Sequence, residues 1–84
     1  MTKSQAELLK KALEEAFQGH AEFESVNGNG RYRFAITANQ FEAMPHLKRQ
    51  DEAWKVVDRV LPPEAAVDIS ILLAYAPADL TPSQ

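Results

Sequence analysis

Prolines bracket the stretch that most constrains this chain. Pro45 stands before a helical pattern and Pro62-Pro63 stands after it. Proline suits the first turn of a helix, where its missing N–H costs nothing, but it cannot continue one. Phe41 to Leu61 therefore reads as an entry loop, a helix and a stop. Within it Ala53, Trp54, Val57, Val60 and Leu61 fall at i, i+1, i+4, i+7 and i+8, which makes one apolar face. That spacing assigns Trp54 to the core, covered by strands on either side of the helix. Lys48, Glu52, Lys55 and Arg59 form a charged stripe elsewhere on it.

The rest of the chain supplies the cover. Ser4-Gln5-Ala6-Glu7 has the form of a capping box, so a first helix is predicted from Ser4 to about Phe17, with Met1 to Lys3 frayed. Leu9, Leu13, Ala16 and Phe17 form its apolar face, and Gly19 suits the position that ends it. A first strand is expected over Ala21 to Val26, with Ala21 and Phe23 on one face. Asn27-Gly28-Asn29-Gly30 is a hairpin signal, because these residues tolerate positive φ. Arg31 to Thr37 reads as the second strand, with Tyr32, Phe34 and Ile36 inward and Arg31, Arg33 and Thr37 outward. Phe41 anchors the connection that follows. Ala66 to Tyr75 reads as the third strand, with Val67, Ile69, Ile71, Leu73 and Tyr75 alternating onto one face. Pro77 ends it, and Ala78 to Gln84 is expected to be a mobile polar tail. The order α-β-β-α-β predicts an α+β fold, with two helices on one face of a three-stranded sheet. A chain of 84 residues is expected to make one domain, spanning 1–84.

Several function classes find no support in the residues. There is no cysteine, which removes disulfides, thiolate metal sites and a cysteine nucleophile. No apolar run is long enough for a membrane span and the first residues are polar, so the expected location is cytoplasmic. No nucleophile elbow, P-loop or dinucleotide fingerprint occurs, and no nucleophile–base pair or metal set can be assembled from spacing. An enzyme and a small-molecule substrate are therefore not expected. His20 and His46 are isolated and read as surface residues. Lys48, Arg49, Lys55 and Arg59, assisted by Arg31 and Arg33, could meet nucleic-acid phosphates. Asp51, Glu52 and Asp58 share that helix, however, and Asp51–Lys55 is a favourable i, i+4 pair. The net charge of −3 also weighs against non-specific nucleic-acid binding. Asp68, near the start of the third strand, reads as an exposed polar position or as a contact or ligand position at a strand end.

From Tyr32 onward the sequence resembles the BolA family. The resemblance rests on Tyr32-Arg33-Phe34-Ala35-Ile36, Phe41-Glu42, Leu47-Lys48-Arg49, Ala53-Trp54 and Ala74-Tyr75-Ala76-Pro77, taken in that order and spacing. It implies a fold similar to the class II KH domain and a small non-enzymatic protein. It further implies pairing with a monothiol glutaredoxin, a shared iron–sulfur cluster, and a part in iron homeostasis, the stress response or transcription regulation. The sequence departs from the family where the family carries histidines. Its Arg-His step is Arg49-Gln50 here, and the histidine opening its last strand, the main cluster ligand, is Asp68. The second ligand, a histidine or cysteine between the first two strands, has no counterpart in Asn27 to Gly30. Aspartate is a harder ligand than a cluster prefers. The expectation is thus no cofactor in the chain alone, with Asp68 the remaining metal candidate. The expected protein-binding residues are His46, Lys48, Arg49 and Asp68. The alternative is DNA binding through Arg31, Arg33, Lys48, Arg49, Lys55 and Arg59.

Overall fold

The structure, a computed structural model, describes residues 1–28 and 30–80. Helix α1 (Lys3–Phe17) leads into strands β1 (His20–Val26) and β2 (Arg31–Thr37). A 3-10 turn over Asn39–Ala43 then enters helix α2 (His46–Val60). The one-turn helix α3 (Pro63–Ala66) follows, then strand β3 (Ile69–Tyr75) and a 3-10 turn over Pro77–Leu80. The sheet order is β1-β2-β3, with β1 antiparallel and β3 parallel to the central β2. This is the expected α+β arrangement, and α1 and α2 pack on the sheet face that carries Ala21, Phe34, Ile36, Leu72 and Ala74. The opposite face is open, with Glu22, Glu24, Arg33 and Ile71 exposed on it.

Helix α1 begins two residues earlier than its capping signal suggested. Thr2 is the N-cap: its hydroxyl accepts from the Gln5 N–H at 3.1 Å, and the Gln5 side chain accepts from the Thr2 N–H at 2.9 Å. Both Thr2-x-x-Gln5 and Ser4-x-x-Glu7 satisfy the pattern, and the earlier start places Ala6 in the buried row with Leu9, Leu13 and Phe17. Ala16 is exposed, off that row. The left-handed residue at the helix end is Gln18, at φ 51°. Gly19 has a different reason to be glycine. A Cβ there would overlap the Thr37 carbonyl oxygen and lie 2.8 Å from the Ala38 Cβ, so the chain leaving α1 presses directly on the end of β2.

The predicted hairpin turn includes Asn29, which lies outside the described residues. Asn27, Gly28 and Gly30 around it all have positive φ. Phe41 is fully buried, as expected of an anchor, with its ring 4.8 Å from that of Phe17.

Helix α2 starts at His46, with Pro45 as its N-cap, and ends at the cap residue Leu61. Its buried residues are Arg49, Ala53, Val56 and Val57. Trp54 is only half-buried, packed against the rim of the core. At 3.6 residues per turn it lies roughly 100° from the centre of that row, on its flank. Lys55 bonds Glu52 at 3.0 Å, with Lys48 at 3.9 Å from the same carboxylate, and the expected partner Asp51 adds a weaker electrostatic attraction on Lys55.

Strand β3 departs most from its pattern. Pro62-Pro63 does not lead directly into it, because Pro63 opens the short helix α3. Within β3 the buried residues are Ile69, Leu72 and Ala74, while Ile71 is 42% exposed and Val67, before the strand, is 71% exposed. The pairing Tyr32↔Ile69 is followed by Arg33↔Ile71, so β3 carries one extra residue against β2. This bulge flips every later side chain to the other face, which uninterrupted alternation could not anticipate. The outer edge of β3 is met by α2, whose Gln50 amide donates to the Leu72 carbonyl at 2.9 Å. Of the tail expected to be mobile, Ala78 and Asp79 belong to the 3-10 turn over 77–80, and residues 81–84 lie outside the described part.

Candidate functional site

Parallel pairing fixes where the candidate residues stand. Helix α2 runs back along the sheet between β2 and β3, so its first turn lies by the end of β3 and its last turn by the start. The contacts agree. Arg49, early in α2, reaches Asp79 beyond β3, and Gln50 reaches Leu72 in its middle. Asp68 lies at the other end, where its carbonyl accepts the Tyr32 N–H at 2.9 Å. A seven-residue strand separates the two groups by roughly 20 Å at about 3.3 Å per residue. The structure therefore divides the expected surface, with His46, Lys48 and Arg49 at one end and Asp68 at the other.

At the Asp68 end, the carboxylate pairs with the Met1 ammonium, which also approaches the Gly30 carbonyl at 3.5 Å. Asp68 is partly exposed and Val67 beside it is strongly so. The turn between β1 and β2 thus adjoins the start of β3. These are the two places where the BolA resemblance puts cluster ligands. Among the described residues, no three His, Cys, Asp or Glu side chains converge there or elsewhere. Tyr32, Phe23 and Phe34 form an aromatic cluster on the inner face toward this end, with ring centroids 5.6 to 6.4 Å apart.

At the opposite end, His46 and Lys48 are exposed, as a contact surface requires. Arg49 is not. It is 7% exposed, its Nε donates to the Met44 carbonyl at 2.9 Å, and its Nη1 donates to Asp79 Oδ2 at 2.7 Å. The Ala76 N–H donates to the same oxygen at 2.9 Å. That N–H foremost, then the Arg49 guanidinium, holds the Asp79 carboxyl below the usual carboxylate range. Arg49 therefore joins the entry of α2 to the C-terminal turn instead of projecting from the surface. Sequence reasoning gave Asp79 no role, although an acid three residues beyond Ala76 is the spacing of a side-chain-capped turn.

The basic residues of the nucleic-acid alternative do not form one patch. Arg31 and Arg33 lie on the open face of the sheet, and Arg33 pairs with Glu24 at 2.8 Å. Lys48, Lys55 and Arg59 lie on the solvent side of α2, across the molecule from that face. Glu14 gives the molecule a further internal tie. It accepts from Lys10 and from the Ala21 N–H at 3.1 Å, linking α1 to β1, and the Ala21 bond is the main reason its carboxyl is held low.

Comparison with known proteins defines the class of fold. No protein-family profile matches the chain, and no curated protein matches its sequence. Among solved structures it is similar to BolA1 from Arabidopsis thaliana, with a TM-score of 0.67 and 15% sequence identity, over 93% of this chain and 96% of that one. The fold is BolA-like. Among the described residues, no helix is long and apolar enough to cross a membrane.

Proposed function

We propose that this chain is a non-enzymatic binding module of the BolA kind, whose partner is a monothiol glutaredoxin and whose role lies in iron or iron–sulfur homeostasis. The observation that carries the reading is the likeness to BolA1 over nearly the full length of both chains. Two features bear on the partner surface. The start of β3 adjoins the β1–β2 turn, so Val67, Asp68 and the turn form one exposed end. Asp68 stands where the resemblance places the main ligand, and it is an oxygen donor already engaged by an ammonium group. The module therefore binds its partner chiefly through protein contacts, with any shared cluster held mainly by the glutaredoxin side.

The test is anaerobic reconstitution with iron and sulfide, with and without a monothiol glutaredoxin. Complex formation is followed by gel filtration, and the cluster by visible absorption and circular dichroism. A mixed complex is expected, weakened at least tenfold by Val67→Asp. Absence of any complex under iron-replete, anaerobic conditions would overturn the proposal. A complex that leaves the cluster spectrum unchanged would keep the binding module and remove the shared cluster. The DNA alternative gains no support from the division of its basic residues between two sides of the molecule.

A further inference from the structure

Arg49 is the buried charged residue among the described ones, and its surroundings are asymmetric. Two donors converge on one oxygen of Asp79: the Arg49 Nη1 at 2.7 Å and the Ala76 N–H at 2.9 Å. A cationic donor beside a backbone N–H is a strong arrangement for an oxyanion. Both donors belong to the body of the fold. The Arg49 side chain is 8% exposed and held from behind by the Met44 carbonyl, and Ala76 is 1% exposed at the end of β3. The acceptor belongs to a single 3-10 turn, and its side chain is 37% exposed. The cradle is built into the core, while the anion that fills it comes from the surface.

We propose that this cradle is a binding site for a carboxylate of a partner protein, kept filled in the free chain by Asp79, so that the turn over 77–80 is a removable plug. A carboxylate suits the site better than a phosphate. The present occupant is a carboxylate, and Glu42, exposed on the neighbouring 39–43 turn, opposes a dianion. A peptide suits it better than a free ion, because Leu47 in the first turn of α2 is 84% exposed and offers apolar contact at the same end. The exposed His46 completes the polar border. The partner's acidic side chain takes the place of Asp79 on Arg49 and Ala76, and the turn swings clear. This site is at the far end of the molecule from Asp68, and its test contains neither cluster nor glutaredoxin, so its failure and that of the glutaredoxin reading are distinguishable.

The experiment uses the full chain and its Asp79→Asn variant, which keeps the size of the side chain and removes the charge. The probe is a nonapeptide with the sequence of residues 76–84, and a control peptide carries asparagine at the aspartate position. Binding is read by NMR at the Ala76 amide and the Arg49 Nε–H. In the variant the peptide is expected to give saturable shifts at both groups, at least tenfold weaker in the parent chain and absent with the control peptide. Equal responses in parent and variant, or none in the variant, would overturn the plug. Inorganic phosphate moving the same signals at lower concentration than the peptide would overturn the carboxylate assignment. Should the variant not fold, hydrogen exchange of the parent decides. The Ala76 amide is expected to exchange at least a hundredfold faster than the Ile36 amide in the central strand, and exchange of both at one common rate would sink the proposal.

Discussion

Gly19 has no room for a side chain: the Thr37 carbonyl and the Ala38 methyl occupy the space a Cβ would need. Backbone atoms cannot yield as a flexible side chain can, so Gly19→Ala is expected to cost about 1–3 kcal/mol, the usual range for overpacking. Urea unfolding checks this, and an unchanged midpoint would show that the α1–β1 junction moves freely. Asp79 gives a pH-dependent counterpart. Its folded-state pKa lies below its unfolded value, through the Ala76 N–H first and Arg49 second. The stability it contributes is therefore fully present above the unfolded value of about 3.9 and is lost as pH falls through the folded one. The stability gap between the parent and Asp79→Asn should be open at about pH 5 and close as pH falls below about 4, as read from urea midpoints across that range. This residue pair also marks a limit of sequence reading. Charge and helical position placed Arg49 on the surface, because the acid that allows its burial lies 30 residues further on and nothing local announces it.

Whole elements were more legible than their phases. The second strand, Arg31–Thr37, stands where alternation put it, since one buried face imposes an unbroken period of two. Helix α2 stands between its prolines, but its buried row was read about a quarter-turn off. Arg49 counted as polar, Trp54 counted as core, and Val56 went unnoticed. In β3 the bulge after Ile69 reverses the pattern, and a bulge leaves little mark in a run whose one strongly polar residue, Ser70, sits at the bulge itself. The two registers make opposite predictions. Leu72→Ala is expected to cost about 2–5 kcal/mol as a buried truncation. Ile71→Thr, on the open face, should stay within about 0.5 kcal/mol. Thermal or urea unfolding of the two variants ranks them, and the reverse order would restore continuous alternation.

At the scale of the whole molecule, a three-stranded sheet has helices on one face only, so the fold presents two unlike sides and two separate ends. The element order α-β-β-α-β made this architecture legible, and the resemblance to BolA proteins from Tyr32 onward agrees with it. The separation of Asp68 from His46 and Lys48 was not legible, because it follows from the direction in which α2 returns along the sheet. The same geometry governs any weak association with duplex DNA at low salt. Removing Arg31 and Arg33 together, or Lys48 and Lys55 together, should give losses that add within about 0.3–0.5 kcal/mol when combined, as expected for distant sites. Fluorescence anisotropy checks this, and strong reinforcement between the pairs would indicate one continuous patch. The Gln50 amide, finally, bears on how these molecules behave in each other's company. Ile69 to Tyr75 contains no charge, glycine or proline, and it forms the border of the sheet. Borders of that composition template the strands of neighbouring molecules and seed aggregation. Gln50 lies across this one, bonded to the Leu72 carbonyl. Gln50→Ala should leave the monomer folded yet turn concentrated solutions turbid where the parent stays clear, a difference that static light scattering would record over hours.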